Sequence, residues 1–387
     1  MKICQVFHRD YPWDVRVEKI SRSLINNGNE IHLICNNSKQ EPKEEFSDGI
    51  YIHRLPSLKS KKLNQLITFP AFFNIYWIVH ILKITKRHRF DAFLVRDLPL
   101  VLPTWLVSKQ FKTPLVYDMA ENFPAMLQNF ASLLKSPFLA SILETIAIRI
   151  ADHVIVVIEE SMDRIIQKGV TPSKVSVVSN TPQLDLLKNN MLMHQKHVLK
   201  NDRVNLLYVG YITDLRGLDV VVKAIPTLVR HIHNVNLTIV GDGFHLRKLK
   251  KLAVEMNLQD YVDFTGWLDF KYVPFIISKC DIGVIPHYSN DHTDSTIPNK
   301  LFDYMAFAKP IIVSDAKPLK RIVQNLHCGV IFRSGDVDDF ARKLIKLAEG
   351  ADKAQMGKQG EVAVREIYNW DKDAERLCRV FEGFKFF

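Results

Sequence analysis

Both halves of the chain alternate short apolar runs with helical patterns, and this alternation restricts the fold more than any other feature. Near the start, Lys2–Phe7 and Glu30–Cys35 read as buried strands flanking a helix that begins at about Asp14 and ends at Asn27-Gly28. A strand–helix–strand unit of this length joins parallel strands through a right-handed crossover. The loop after the first strand therefore lies at the carboxyl edge of its sheet, where open α/β sheets bind ligands.

The second half repeats the pattern after a polar segment without periodicity, residues 184–203, which reads as a linker. Its predicted strands are Asn205–Val209, Asn236–Val240, Val262–Thr265, Asp281–Ile285 and Pro310–Val313. A chain of 387 residues exceeds the usual span of one hydrophobic core. We therefore predict an α/β protein with two doubly wound, Rossmann-like domains facing a cleft, at residues 1–183 and 204–368.

The charge is concentrated in one segment. The formal net charge is +10, and residues 54–89 carry eight Lys and Arg in a stretch that has no Asp or Glu between Asp48 and Asp91. Within it, Leu66–Leu82 is almost wholly apolar but is interrupted by Pro70, Asn74 and His80, which argues against a membrane-spanning helix.

Two interpretations of Leu66–Leu82 stay open: a core helix that covers one sheet face, or a helix lying on an anionic membrane surface beside Lys59, Lys61 and Lys62. Nucleic acid is not the expected partner, because the basic residues flank an aliphatic helix rather than separated stacking aromatics. The segment predicts peripheral contact with an anionic membrane.

The cysteines indicate a reducing compartment. The five residues are scattered and form neither a disulfide framework nor a metal-binding spacing, so no metal site is predicted. The N-terminal MKICQVF reads as a strand rather than a signal peptide. We expect a cytoplasmic protein on the inner face of the cell membrane.

An anion site is indicated at Ser295–Pro310, where a polar loop leads directly into a helix. Helix N-termini offer unpaired N–H groups to anions. Lys300 adds a positive charge there, and Asp303 is placed to accept hydrogen bonds from a pair of hydroxyls. Phosphate beside ribose fits this pattern, although an ordinary capped helix with solvated side chains also explains it.

Charged residues follow several strands of the first half. The first loop offers Arg9, Tyr11, Asp14 and Arg16; two later apolar runs end at Arg96-Asp97 and at Asp118 to Glu121. A carboxylate at such an edge is a candidate general base, and capping or loop hydrogen bonding is the alternative. The first loop lacks the glycines of a dinucleotide site.

Several segments in order resemble one known family. They are DVRVEKISRSLINNGNEIHLIC, VYDMAENFP, LLYVGYITDLRGLDVVVKAI, LTIVGDGFHLRKL, VDFTGWL and IPNKLFDYMAFAKPIIVSD. Together they resemble family 4 glycosyltransferases, which are retaining, nucleotide-sugar-dependent enzymes of the GT-B fold. The chain is most similar to the subgroup that assembles bacterial surface polysaccharides on lipid-linked acceptors.

The resemblance implies where the donor binds. It assigns the donor diphosphate to Gly210, Arg216, Gly217, Ser295, Thr296 and Lys300, and the nucleoside to Gly241, Gly243, Gly266 and Asp303. It also implies that a C-terminal helix at about residues 369–387 packs back on the first domain. No cofactor or metal is expected, because the cations neutralise the leaving diphosphate.

Two family signatures are altered. The family's paired Glu residues, with seven residues between them, are Ser295 and Asp303 here, so the sugar-contacting carboxylate is missing. The family's Asp-x-His-Glu is Asp118-Met119-Ala120-Glu121, which leaves Asp118 and Glu121 as the catalytic candidates.

The resemblance therefore implies a retaining glycosyltransferase that moves a sugar from a UDP- or GDP-type donor to a lipid-linked or saccharide hydroxyl, with an acceptor side at Arg9, Tyr11, Asp14, Arg16, Arg96 and Asp97. Two alternatives stay open: a nucleotide-sugar epimerase or hydrolase on the same fold, and a catalytically silent binding protein.

Overall fold

A computed structural model describes residues 1–12, 14–57, 72, 74–127, 136–189, 199–200, 202–232 and 234–384. The chain divides into two compact units. One comprises Met1–Asn180 with Asp373–Phe387, and the other comprises Thr181–Lys372. Each contains one sheet with helices packed on it, which confirms the predicted α/β class.

The first unit is built on an eight-stranded sheet. Its strands are β1 (Lys2–Asp10), β2 (Glu30–Asn36), β3 (Glu44–Ser47), β4 (Ile50–Arg54), β5 (Ala92–Arg96), β6 (Leu115–Met119), β7 (His153–Val156) and β8 (Val175–Val177). They lie in the order β3-β4-β2-β1-β5-β6-β7-β8, and the pairs other than β3–β4 are parallel.

The helices of this unit cover the sheet. They are α1 (Val15–Asn26), α2 (Ile75–His88), α3 (Val101–Phe111), α4 (Phe123–Leu127), α5 (Pro137–Ile150) and α6 (Glu159–Gln167). In α1, Val17, Ile20 and Leu24 recur at helical spacing and are buried, while Asp14 caps the helix by accepting the N–H groups of Arg16 and Val17. The helix thus begins where the sequence predicts it.

Two local features differ from the sequence analysis. The antiparallel edge strand β3 was not predicted, because its exposed Glu44 and Glu45 give no apolar pattern and pairing with β4 alone makes it a strand. Helix α2 begins at Ile75 because the Asn74 side chain accepts the N–H of Tyr76. The earlier part of the predicted helix, and Lys59, Lys61 and Lys62, lie outside the described residues.

The second unit contains a six-stranded parallel sheet. Its strands are β9 (Val204–Val209), β10 (Val235–Val240), β11 (Val262–Gly266), β12 (Ile282–Ile285), β13 (Ile311–Ser314) and β14 (Gly329–Phe332), in the order β11-β10-β9-β12-β13-β14. Because neighbouring strands are parallel, the loops after β9, β10, β11 and β12 lie at one edge of the sheet.

Eight helices of the second unit precede a last helix that belongs mainly to the first unit. They are α7 (Leu184–Asn189), α8 (Leu218–His231), α9 (Leu246–Glu255), α10 (Val273–Lys279), α11 (Lys300–Ala306), α12 (Lys317–Leu326), α13 (Val337–Glu349) and α14 (Lys353–Glu366), followed by α15 (Trp370–Glu382). Helix α7 occupies the start of the predicted linker. In α15, Asp373 Oδ1 accepts the N–H of Ser179 at 3.1 Å.

Within the described ranges, no helix is long and apolar enough to cross a bilayer.

Candidate functional site

Lys300 lies against the end of β9. It is the first residue of α11, and its Nζ is 4.6 Å from the centroid of the Tyr208 ring. A β carbon at Gly210 would lie only 3.1 Å from this Nζ, and Gly210 has a φ of +138°. Glycine therefore leaves the space that the lysine side chain occupies. The structure brings together two residues that the sequence placed in the donor site.

Arg216 supplies a second cation in the loop that follows β9. Its Nη1 lies 3.3 Å from Nδ1 of His287, and its buried Nε has no hydrogen-bond partner in the described part of the chain. Neither Arg216 nor Lys300 forms an ion pair with a carboxylate among the described residues. The loop after β9 and the start of α11 therefore each supply a basic side chain whose charge is not neutralised by direct pairing.

Burial and mutual repulsion shift the pKa values of the basic groups in this region. Burial, and then the charge of Arg216, lower the pKa of Lys300 well below its usual value, and Asp303 only partly opposes this. Burial and the same two cations lower the pKa of His287 well below its usual value, so this imidazole stays neutral. A bound anion would relieve the repulsion between the two cations.

The backbone N–H groups predicted to hold the diphosphate are mostly engaged inside the fold. Gly210 N–H donates to Val240 O at 2.9 Å and Gly217 N–H donates to Asp214 O at 3.4 Å. Ser295 N–H donates to His292 O at 3.2 Å. Each of these three donors already has an acceptor within the chain, so a diphosphate would have to replace that acceptor in order to bind there.

The hydroxyl groups of Ser295 and Thr296, in the turn before α11, are also turned inward. Ser295 Oγ donates to Asp291 O at 2.6 Å, and Thr296 Oγ1 donates to His292 O at 3.3 Å. Both close the short turn before α11. The groups available to an anion in this part of the unit are therefore the side chains of Lys300 and Arg216 rather than the hydroxyl groups of this turn.

The predicted nucleoside glycines meet at the same sheet edge. Gly241 N–H donates to Gly266 O at 2.9 Å, which ties the end of β10 to that of β11. A β carbon at Gly241 would lie 2.0 Å from the carbonyl oxygen of Gly210, and one at Gly243 would lie 2.1 Å from that of Ile212. Close backbone approach explains these glycines. Asp303 lies in the first turn of α11, next to Lys300.

A cavity of about 380 Å³ lies beside the same loop and was missed by the sequence analysis. Asp214, Asp219, Lys223, His245, Lys248, Leu249, Leu252 and Tyr288 line it. The Tyr288 hydroxyl donates to Asp219 Oδ1 at 2.9 Å. These residues come from α8, α9 and three loops, so no short motif could have marked them.

In the first unit, Asp118 is the centre of a buried charge cluster. Arg16 Nη2 lies 2.7 Å from Asp118 Oδ1 and Arg16 Nε lies 3.0 Å from Oδ2, a bidentate pair with both side chains almost fully buried. Arg96 Nη1 lies 3.4 Å from the same Oδ2. Despite burial, which acts in the opposite direction, Arg16 and then Arg96 lower the pKa of Asp118.

This geometry argues against Asp118 as a general base. A base must reach the proton it removes and have a pKa near the working pH. Asp118 has no exposed surface, its pKa is lowered, and its oxygens are occupied by Arg16 and Arg96. Its position instead indicates a structural role that holds the ends of α1, β5 and β6 together.

The remaining residues predicted for the acceptor side fall into two groups. Arg96 also pairs with Asp14 at 3.1 Å. Burial acts to lower the pKa of Arg96, but the surrounding carboxylates, of which Asp97 contributes most, raise it overall. Burial foremost raises the pKa of Asp97. Tyr11 is buried as well, whereas Arg9 is exposed. The predicted residues therefore cluster, but mainly as a charge network rather than as an open surface.

Glu121 follows β6 and is half-buried. Its charge contributes to the raised pKa of Arg96, which places it beside the cluster centred on Asp118. Unlike Asp118, it keeps exposed surface, and it remains a candidate for contact with a ligand.

Two sequence profiles match the chain in succession. The family described as "Glycosyl transferase 4-like domain" matches residues 14–181, and the family described as "Glycosyl transferases group 1" matches residues 190–362. A GDP-mannose-dependent alpha-(1-6)-phosphatidylinositol monomannoside mannosyltransferase of Mycobacterium tuberculosis is 24% identical over 192 residues, or 49% of this chain and 50% of that protein. The chain thus spans about half the length of this curated relative.

Solved structures match over nearly the whole chain. A sucrose-phosphate synthase of Thermosynechococcus elongatus gives a TM-score of 0.80 at 18% identity, covering 99% of this chain and 98% of that one. Anabaena Alr3699/HepE in complex with UDP gives 0.73 at 13% identity, covering 99% and 100%. At such identities the similarity establishes the fold.

Proposed function

We propose that this chain, which belongs to the group 1 glycosyltransferases with a family 4-like first domain and has the GT-B fold, moves a sugar from a nucleoside diphosphate to an acceptor hydroxyl. The two profile matches confirm the family resemblance predicted from the sequence, and the structural matches confirm the predicted fold. The observation that carries the proposed activity is the pair of basic side chains, Arg216 and Lys300, at the carboxyl edge of a parallel sheet, where no described carboxylate pairs with either of them.

The pair suits the chemistry of a departing diphosphate. Negative charge grows on the diphosphate as the bond to the sugar breaks, and fixed cations in a partly dry site stabilise that charge. Lys300 and Arg216 would supply this stabilisation, while Asp303 would accept hydrogen bonds from the ribose. With Ser295 in place of a carboxylate, the sugar is held by other groups. We propose transfer with retention, as the family resemblance implies.

The donor is proposed to be a UDP or GDP sugar. The Anabaena structure contains UDP, and the mycobacterial relative is described as dependent on GDP-mannose. The structure of this chain supports the diphosphate part of the proposal, which both donors share. Glu121 is the carboxylate that we propose contacts the acceptor, because Asp118 is enclosed by arginines.

An exposed apolar helix surface supports membrane contact. Helix α3 packs against both α2 and α5. The outer sides of these helices expose Ile75, Val79, Leu106, Phe138, Leu139, Ile142 and Ile146. Phe138 is 75% exposed and Ile142 is 42% exposed. Isolated exposed apolar residues are common, but a group on three neighbouring helices marks an interaction surface.

Basic residues adjoin this apolar helix surface. The last turn of α2 carries Lys86 and Arg87, and Arg89 follows. Apolar area combined with positive charge is sufficient for reversible attachment to anionic lipid. We therefore propose that the chain attaches peripherally to the cytoplasmic face of an anionic membrane and acts on a lipid-linked acceptor.

Thermal unfolding with a panel of nucleotides tests the donor proposal. UDP or GDP is expected to raise the melting temperature, because a ligand present at 100 times its Kd stabilises the folded state by about 2.7 kcal/mol. The matched controls are uridine and guanosine, which lack the diphosphate and should shift the temperature far less. If neither diphosphate stabilises the protein more than its nucleoside, the proposed donor site is wrong.

Vesicle cosedimentation tests the membrane proposal. Replacing Phe138 and Ile142 together with Ser should weaken binding to anionic vesicles by roughly tenfold or more, because each apolar side chain contributes on the order of 1.5 kcal/mol when buried. The control is Phe46→Ser, which removes an aromatic ring that is 62% exposed on β3. Equal binding by the double variant and the control would contradict the proposal.

A further inference from the structure

Three histidines that are distant in sequence meet in the first unit. His32 lies on β2, His53 on β4 and His88 at the end of α2. One ring nitrogen from each lies within 4.8 Å of those of the other two. The sequence predicted no metal site because no local spacing joins these residues. We infer that His32, His53 and His88 form a binding site for a first-row transition metal ion of the Zn²⁺ type.

The three rings lie close enough for one ion to reach a nitrogen of each after rearrangement. His32 Nδ1 and His53 Nε2 lie 2.8 Å apart in a hydrogen bond between nearly parallel rings, and the His88 ring centroid lies 4.5 Å from that of His32. Three imidazole nitrogens bound tetrahedrally to zinc at about 2.0–2.1 Å lie roughly 3.4 Å from one another. Metal binding therefore requires the His32–His53 hydrogen bond to open and the rings to turn until the three nitrogens surround one ion, with a fourth position open to water.

Two ring nitrogens in the cluster are buried without a hydrogen-bond partner in the described ranges. They are His53 Nδ1 and His88 Nε2. Buried polar atoms in proteins are normally satisfied, so such atoms call for an explanation. A metal ion bound by the Nε2 of His88 would provide the missing partner there.

Glu30 orients one of the proposed ligands. Its Oε1 lies 2.8 Å from His32 Nε2, which makes that nitrogen the donor and directs the lone pair of Nδ1 into the cluster. Metal-bound histidines commonly donate their second N–H to a carboxylate in this way. Lys2 Nζ, 3.1 Å from the same Glu30 oxygen, balances the carboxylate charge.

The pKa values of all three imidazoles are lowered. Burial lowers the pKa of His53 to about 3, and burial is also the largest cause of the lowered pKa values of His32 and His88. Neutral imidazole is the ligating form, and it suits Zn²⁺, Ni²⁺, Cu²⁺ or Co²⁺ rather than Mg²⁺ or Ca²⁺.

The proposed metal site is separate from the charge cluster at Asp118. None of the three elements that supply its histidines carries Arg16, Arg96 or Asp118. The Tyr51 ring stacks on His32 at 4.7 Å and partly shields the cluster from solvent. A bound ion would link two strands to the end of α2, so its main effect would be on stability.

Metal titration of the chelator-treated protein tests this inference. Wild type is expected to bind one Zn²⁺ per chain by calorimetry, with a raised melting temperature, and to give a visible absorption band with Co²⁺. His88→Gln should lower Zn²⁺ affinity at least tenfold. The matched control is His153→Gln, which alters a half-buried histidine on β7 bonded to Ser176 at 2.9 Å and should bind Zn²⁺ as wild type does.

The inference is overturned if wild type binds no stoichiometric Zn²⁺, or if His88→Gln and wild type have equal affinities. Circular dichroism checks that the variant is folded. If His88→Gln does not fold, NMR of the wild-type protein decides the question. Addition of Zn²⁺ must then shift the imidazole resonances of His32, His53 and His88. Unchanged resonances would exclude the site. Nucleotide binding is expected to be unchanged by the metal, so this result is independent of the proposed glycosyltransferase activity.

Discussion

Replacing Lys300 with Ala is expected to slow sugar transfer by about 10²- to 10³-fold, the range found when one group that stabilises a developing oxyanion is removed. The physical reason is the position of its ammonium, which lies beside Tyr208 and Gly210 without a carboxylate partner in the described chain. Arg216 alone would then face the leaving diphosphate. Initial rates of donor hydrolysis and of transfer measure the effect.

Lys251→Ala is the matched control, because Lys251 also belongs to the second unit but its side chain is 77% exposed and its Nζ is paired with Glu255 at 3.5 Å. This variant should transfer sugar within a few-fold of the wild-type rate, on the premise that such surface pairs contribute little. A wild-type rate for Lys300→Ala would show that Lys300 does not act on the diphosphate.

The lowered pKa of Lys300 adds a pH signature to the same prediction. The protonated ammonium binds the diphosphate, so donor affinity should fall as the pH rises through the lowered pKa of the free site. Donor binding in turn raises the pKa of Lys300, because the bound anion favours the protonated ammonium. In Lys300→Ala this part of the pH dependence should disappear, which a titration of donor affinity against pH would detect.

Asp118→Asn is expected to destabilise the protein by about 3–5 kcal/mol, the usual cost of breaking a buried ion pair from one side. The substitution leaves the Arg16 guanidinium buried without the carboxylate that lies 2.7 Å from it. Denaturant unfolding of the two proteins at neutral pH measures the difference. Unfolding must be followed as two transitions if the two units melt separately.

Arg22→Ala is the control on the same helix. Arg22 pairs with Glu18 one turn away, and its side chain is 52% exposed. Because surface pairs contribute at most about 1 kcal/mol, this variant should unfold almost as wild type does. Equal stabilities of Asp118→Asn and Arg22→Ala would contradict the buried-pair interpretation.

The pH dependence of stability follows from the sign of the shift at Asp118. Burial alone would raise the pKa of Asp118, but the Arg16 and Arg96 guanidinium groups lower that pKa below its ordinary value in the folded protein. The stabilisation is therefore complete above the unfolded pKa and is lost as the pH falls through the folded pKa, in the acid range below about pH 4. Asp118→Asn should lack this acid-dependent part.

The same variant separates structure from catalysis. If the role of Asp118 is structural, Asp118→Asn should be less stable than wild type, and the folded part of the variant should show the wild-type pH profile of transfer. If Asp118→Asn instead kept wild-type stability and lost transfer more than 100-fold, Asp118 would be the general base that the sequence suggested. Transfer assays at a temperature where both proteins are folded distinguish these results.

Local patterns predicted most elements of the parallel sheets. The strands from Lys2, Glu30 and Asn205 are apolar runs bounded by polar loops, and their burial in one sheet per unit follows from hydrophobicity alone. The edge strand Glu44–Ser47 was not predicted, because a partner strand rather than its own composition makes it extended.

The candidate site was predicted in composition but not in arrangement. The sequence identified Lys300, Arg216 and the glycines at the ends of β9 and β10 as residues of one region, and the structure places Lys300 against Gly210. The sequence did not predict that Ser295 donates its N–H to His292 O and its hydroxyl hydrogen to Asp291 O, both in its own turn. Hydrogen-bond partners depend on the path of the folded backbone, which no residue type specifies.

By itself, the sequence determined an α/β chain with strand ends rich in glycine and charge, together with its membership of a glycosyltransferase family. Only the tertiary structure decided that Asp118 is enclosed by Arg16 and Arg96, and that His32, His53 and His88 meet in one cluster. The reason is that periodicity and motifs report interactions along the chain. Burial, pKa and ligand geometry depend on side chains brought together from distant elements.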